Sequence, residues 1–297
     1  MKQLLETFID YLRYEKAASE RTVGEYQDDL KAFESFFKSL SDELSWETVD
    51  ADVIREWMVA MMGRGNKPSS VQRRIAALRT FYKFLLRRGM VKRDPAHNLL
   101  APKKERVLPA FVREDEMNRL LDTPDMWGDS FEERRDRLIV MMFYHTGIRL
   151  SELVGLSDAD VNAEAQTIKV TGKGNKQRVV PFGAELLHLI YIYRSECEAL
   201  FGSSGERPFF VDSRGCALKG DRIRAMVKRK LGLVTTQQKR SPHVLRHTFA
   251  TSMLNHQAEL ESVKQLLGHE RLSTTEIYTH TTFEELKSVY SKAHPRA

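Results

Sequence analysis

The residues best suited to chemistry fall in five short strings in the second half of the chain. The string Thr146-Gly147-Ile148-Arg149-Leu150-Ser151-Glu152-Leu153 sets an arginine and a glutamate three apart, on one face of a helix that begins beside a glycine. Taken alone, that spacing reads as an exposed ion pair. Gly172-Lys173-Gly174-Asn175-Lys176 holds a lysine between glycines at a turn, free to project into a groove. Taken alone it is a polar turn. It lacks the GKS or GKT ending of a P-loop and sits between strands rather than before a helix. His243-Val244-Leu245-Arg246-His247 pairs His243 with Arg246 behind a helix-opening Pro242. The spacing is not one that metals use, and no carboxylate cluster goes with it. A capping histidine beside a surface arginine is its plain reading. Leu266-Leu267-Gly268-His269 and Thr274-Thr275-Glu276-Ile277-Tyr278-Thr279-His280 add His269 and Tyr278. A lone tyrosine in a polar segment most often packs.

Composition narrows the class of protein. The 297 residues carry 47 Lys+Arg against 41 Asp+Glu, with 41% hydrophobic and 30% charged residues, which excludes a disordered or collagen-like chain. No stretch reaches the ~18–20 apolar residues of a membrane span, and Glu6 and Asp10 interrupt the first apolar stretch, so no signal peptide is expected. Cys197 and Cys216 are too few for a disulfide framework or a cysteine-based zinc site, and a reducing cytoplasm is the expected location. The net +6 is unevenly spread. Residues 1–63 carry 7 basic and 14 acidic groups, a net of −7; residues 64–106 carry 13 and 2, a net of +11; the remainder is nearly balanced at +2. A +11 block within 43 residues is a credible footprint for nucleic acid, although a solvated helix face and charged linker would look the same.

The elements that must position these residues read as mainly helical with one small β region, an α+β class. Helical spacing runs through Leu4, Leu5, Phe8, Ile9 and Leu12. Ser19 caps a second helix, a cap near Asp50 starts a third, and Pro68 opens a fourth with Gly89 just past its end. Arg73, Arg74, Arg79 and Lys83 lie on that fourth helix. Pro95, Pro102 and Pro109 with a KKER run mark a linker over 94–110. Beyond it, Ser130 and Glu133 form a capping box and Gly147 ends the helix that follows. Two strands with a turn are predicted within residues 161–181, a further short strand at Phe209-Phe210-Val211, and a long helix from about Ala184 to Leu200.

Taken together and in order, Arg149, Lys173, His243, Arg246, His269 and Tyr278 resemble the catalytic set of the tyrosine recombinases, the phage integrase family. The neighbouring letters fit too: TGIRLSEL, GKGNKQR, HVLRHTFAT and LLGHERLSTTEIYTH. The closing string SVYSKAHPRA is similar to the Xer subfamily, to its XerC branch more than to XerD. The resemblance covers essentially the whole chain. It implies a helical SAM-like core-binding domain at 1–93 that clamps DNA, a linker at 94–110, and a catalytic domain at 111–297 whose C-terminal tail docks into a neighbouring subunit. Self-packing of the amphipathic tail residues Phe283, Leu286, Val289 and Tyr290 is the alternative. No arm-binding module is expected.

The chemistry implied is metal- and ATP-independent DNA strand exchange without a cofactor. Tyr278 is the nucleophile and forms a 3′-phosphotyrosine, His243 is the general base, and Lys173 protonates the leaving oxygen. Arg149, Arg246 and His269 bind the phosphate, with Glu152 orienting Arg149 or His243. Base reading and phosphate contacts are expected from the fourth helix and from the segment holding Arg222 and Arg224. The implied partners are a double-stranded recombination site, a XerD-like sister recombinase in a heterotetramer or copies of the same chain in a homotetramer, and an FtsK-like DNA translocase. Chromosome-dimer resolution is the implied role. A phage- or transposon-type integrase and a type IB topoisomerase-like enzyme share the chemistry and are the competing readings.

Overall fold

The computed structural model describes residues 2–103, 109–202, 207–268 and 283–297. The chain divides into two compact units, Met1–Val107 and Leu108–Ala297. Residues 104–108, which include all but Lys103 of the basic run of the expected linker, lie outside the described residues.

In the first unit, α1 (Lys2–Asp10) continues into a π-helical turn at Tyr11–Glu15, followed by α2 (Glu20–Leu40), α3 (Ala51–Gly63) and α4 (Pro68–Arg87). Their ends are fixed locally. The Ser19 hydroxyl accepts from the Thr22 N–H at 3.3 Å, and the Asp50 carboxylate accepts from the Asp52 and Val53 N–H groups at 2.9 and 3.0 Å. Pro68 opens α4, and Gly89 takes a left-handed φ of +67° after its end. The apolar faces meet in an aromatic core of Phe8, Phe33, Phe37, Trp46, Phe81 and Tyr82, all buried.

Three of the basic residues expected to contact DNA also hold this unit together. Arg73 and Arg74 close over Asp29, which is buried and whose carboxyl is pushed up by burial. A buried carboxylate needs a counter-charge, and α4 supplies it. Arg79 donates to the carbonyls of Ala96 and Leu99, pinning the segment after α4. Lys83 is exposed.

The second unit is built around α6 (Phe131–Thr146), whose residues from Leu138 to Thr146 are all buried. Around it lie α5 (Glu114–Asp122), α7 (Leu150–Val154), α8 (Ala184–Phe201), α9 (Gly220–Leu231), α10 (Pro242–Asn255), α11 (Leu260–Leu267) and α12 (Phe283–Ala293). An antiparallel sheet in the order β1 (Val161–Asn162), β2 (Thr167–Thr171), β3 (Gln177–Pro181) packs beside α7. Ser130 accepts from the Glu133 N–H at 3.2 Å, but the Glu133 carboxylate turns to Lys230 and Arg229 rather than completing the capping box. Phe209-Phe210-Val211 is not a strand. Both phenylalanines are buried against Tyr193, so the side chains do not alternate, and isolated bridges pair Pro208 with Ser157 and Val211 with Ala217.

The tail packs on its own unit. Tyr290 and Ala293 of α12 are buried against Phe249, Met253 and Leu267, with Leu286 and Val289 beside them. Beyond the helix, Arg296 forks onto Glu185 at 2.6 and 2.8 Å, and the His294 Nε2 lies 3.2 Å from the Tyr144 carbonyl. Burial holds His294 down at about 4, from an ordinary 6.5, and lowers His145, whose ring lies 4.7 Å away. An imidazole kept neutral by burial binds its proton more weakly folded than unfolded. The stability it lends is therefore complete above pH 6.5 and declines as pH falls from 6.5 toward 4, by about 3 kcal/mol for His294 at full protonation. Amide hydrogen exchange across residues 283–297 is expected to quicken between pH 6.5 and 4.5 beyond its intrinsic pH dependence. A His294→Asn variant should show no such transition from this group.

Candidate active site

Arg149 is not inside a helix but at the extended residue that starts α7, with φ −79° and ψ 154°. Glu152, one turn on, folds back to cap it. The carboxylate accepts the Arg149 backbone N–H and one guanidinium nitrogen, both at 2.7 Å. This differs from a simple ion pair on an exposed face, because Glu152 is 3% exposed. Burial would raise its pKa. The forked hydrogen bonds from Arg178, the Arg149 N–H and the Arg149 guanidinium outweigh that and bring it down to about 2. Glu152 thus holds Arg149 in place and shares its charge with Arg178.

The lysine turn joins β2 to β3. Lys173–Asn175 forms a single 3₁₀ turn, closed by the Gly172 N–H donating to the Lys176 carbonyl at 2.8 Å. A β-carbon on Gly172 would stand 3.4 Å from the Glu152 Oε1, so the turn begins directly above that carboxylate. β2 and β3 therefore carry Lys173 to the edge of the same cluster.

Helix α10 supplies the other face. Pro242 is its first residue and fixes the entry, leaving His243 exposed and Arg246 buried one turn later. Arg246 donates to the carbonyls of Gly147 and Leu267, each at 2.6 Å. Burial, then the like charges of Arg149 and Arg178, pull its pKa from 12.5 to about 10. That still leaves it cationic at pH 7. The His243 and His247 rings lie 4.6 Å apart, and burial lowers His247. Gly147, at φ +58°, lets the ends of α6 and α11 meet. A β-carbon there would come within 2.5 Å of Phe249 and 2.8 Å of Leu267.

Arg149, His243 and Arg246 line one cavity of about 450 Å³, together with Arg224, Ser241 and the apolar Ile148, Leu150 and Pro242. Arg224 also pairs with Asp221, one turn back. Arg222 does not reach this cavity. It lines a separate one with Arg135, Asp136 and Arg229, 3.9 Å from Asp212. His269 and Tyr278 lie outside the described residues. Arg178 was missed as a site residue, although it is the last letter of the GKGNKQR string. Nothing in its spacing marks it, since its partner Glu152 lies 26 residues away.

A cavity that sets two forked cations beside an exposed imidazole suits an oxyanion such as a phosphate. Comparison with known proteins agrees. Residues 110–285 match the Phage integrase family and residues 5–89 match its N-terminal SAM-like domain. The chain belongs to the phage integrase family, the tyrosine recombinases, and is a DNA-breaking and rejoining enzyme.

The curated relatives narrow this further. The chain is 39% identical to the tyrosine recombinase XerC of Chlorobaculum tepidum, covering 99% of this chain and 94% of the relative. It is 38% identical to that of Oceanobacillus iheyensis, covering 99% and 96%. It is a site-specific recombinase of the Xer type. The fold is shared with XerH bound to its difH substrate, at a TM-score of 0.70 and 24% identity over 97% of this chain and 83% of that one. Among the described residues, no helix is long and apolar enough to cross a membrane.

Proposed function

We propose that this chain resolves chromosome dimers in the cytoplasm by metal- and ATP-independent strand exchange at a specific double-stranded site, in the manner of the XerC recombinases it resembles. The observation that supports this best is the convergence of Arg149, Arg246 and His243 on one cavity, with Arg149 oriented by Glu152. In this reading the two arginines fork onto the non-bridging oxygens of the scissile phosphate, where negative charge builds in the transition state. His243 takes the proton from Tyr278. At pH 7 only about one phenol in a thousand is ionised, a penalty of roughly 4 kcal/mol that a base and nearby cations offset. Lys173 protonates the departing 5′ oxygen and His269 donates a further hydrogen bond. The phosphate rests on Tyr278 as a 3′-phosphotyrosine, and the retained bond energy allows religation without ATP.

Around the site, the first unit clamps the duplex through basic side chains such as Lys83, and Arg224 and Arg222 contact DNA from α9. Those contacts set affinity and its salt dependence. The chain works in a tetramer with a XerD-like sister or with further copies of itself, under the control of an FtsK-like translocase.

The test is strand exchange on the terminus site of the chain's own chromosome, in EDTA and without ATP, with and without the sister recombinase. Recombinant products are expected, either from the pair or from the chain alone, which also separates heterotetramer from homotetramer. Relaxation of supercoils without strand exchange would overturn the reading in favour of a topoisomerase. Exchange only at a mobile-element end would overturn the chromosomal role.

A further inference from the structure

The C-terminal end of α11 is gripped at three successive carbonyls by three guanidinium groups. The Arg178 Nε donates to the Leu266 carbonyl at 2.9 Å, the Arg246 Nη2 to that of Leu267 at 2.6 Å, and the Arg149 Nη2 to that of Gly268 at 3.2 Å. Two of these arginines line the phosphate cavity. Arg178 does not; it stands behind them on β3 with its side chain 15% exposed. Its other two nitrogens fork onto the two Glu152 oxygens at 2.8 and 2.9 Å. One planar group therefore joins three separate pieces of chain: the strand after the Lys173 turn, the carboxylate that holds Arg149, and the helix end after which the sequence reaches His269 and Tyr278.

We propose that Arg178 is the positioning residue of the site, locking Glu152, and through it Arg149, in register with the end of α11. The proposal rests on Arg149 and Tyr278 acting as described above. Each part of the geometry calls for this side chain. Only a guanidinium presents three nitrogens in one plane, two toward a carboxylate and one sideways toward a carbonyl; a lysine reaches one acceptor at a time. The last carbonyls of a helix have no partner within it and carry its negative end, so they favour cations. Space is reserved for the group as well. Gly268 sits at φ +65°, and a β-carbon there would come within 3.1 Å of the Arg178 Cδ and Nη1. Among the described residues, the charged groups facing Glu152 are Arg149 at the start of its own helix, Arg178 from β3 and Arg246 from α10. Of these, Arg178 does most to keep the buried carboxylate ionised.

A positioning role differs from a merely structural ion pair in what it does to the rate. Displacing a clamped group by about 1 Å can cost about 10²-fold in rate while leaving binding intact. The experiment is single-turnover formation of the covalent adduct on a nicked suicide duplex, with DNA affinity and thermal melting measured on the same preparations. Arg178→Gln is expected to slow adduct formation by about 10²-fold without changing DNA affinity, with Arg178→Lys recovering part of the loss. The acid limb of its pH–rate profile should move upward, because Glu152 has lost its strongest partner. Glu152→Gln should be slow as well, and the double variant no slower than the worse of the two singles, since both act through one contact.

A folded Arg178→Gln protein that forms adduct at the wild-type rate overturns the proposal, as does a double variant in which the two losses multiply. If Arg178→Gln does not fold, Arg178→Lys carries the same reading, and wild-type cleavage by it is equally fatal. Failure of the wild-type chain itself to form adduct would instead strike the underlying assignment of Tyr278.

Discussion

Replacing Tyr278 with phenylalanine is expected to abolish the covalent protein–DNA adduct on a nicked suicide site while leaving DNA binding intact. The substitution removes one oxygen and keeps the ring, so packing and electrostatic attraction to DNA barely change. The proposed chemistry loses its nucleophile entirely. Removing the attacking group from a comparable covalent enzyme costs on the order of 10⁶ in turnover, because the remaining groups have nothing to activate. Arg149 and Arg246 would still bind the phosphate, and His243 would have no proton to accept. Denaturing gels of adduct beside mobility shifts of the intact complex separate the two outcomes. Adduct formation by the variant would mean that another side chain attacks, and the resemblance that singled out Tyr278 would have pointed to the wrong residue.

The second large effect is expected from Arg246→Met, where rate and stability should part company. Two terms act on the fold in opposite directions. Losing the guanidinium leaves the Gly147 and Leu267 carbonyls without this donor, at about 1–3 kcal/mol each where they are buried. It also relieves a cation held in a buried place beside Arg149 and Arg178. The fall of its pKa from 12.5 to about 10 corresponds to about 3 kcal/mol against the charged form. The terms are of similar size, so the melting temperature should change by no more than about 10 °C. Cleavage should fall by about 10²–10³, the usual consequence of removing one donor aimed at developing negative charge. Calorimetry and single-turnover cleavage on the same preparation check both halves. A variant that melts normally and cleaves normally would remove Arg246 from the site.

What the sequence made legible was local. Ser19, Asp50, Pro68 and Gly147 each act within one turn, and each marks its helix boundary where expected. The six candidate residues were legible only by resemblance, because each string had an ordinary reading of its own. What stayed hidden depends on distance along the chain. Arg73 and Arg74 look like a basic surface until Asp29, 44 residues from Arg73, is found buried beneath them. Arg178 looks like an ordinary strand residue until Glu152 and Leu266 close on it from opposite directions. The amphipathic pattern of the tail fitted a neighbour and its own unit equally well, since periodicity shows that a face is apolar but not what covers it.

The grip on the end of α11 has a consequence for how the protein is made. Arg149, Arg178 and Arg246 repel one another, and among the described residues Glu152 is the carboxylate set between them. The carbonyls of Leu266, Leu267 and Gly268 supply the remaining negative character, and they leave the ribosome after every one of the arginines. A nascent chain that ends before residue 266 therefore carries the cations of the site without the element that reconciles them. The arrangement that can hold a phosphate is completed only late in synthesis, shortly before the segment bearing Tyr278 emerges. Under this order, truncated chains on the ribosome have neither an assembled clamp nor the tyrosine proposed as the nucleophile.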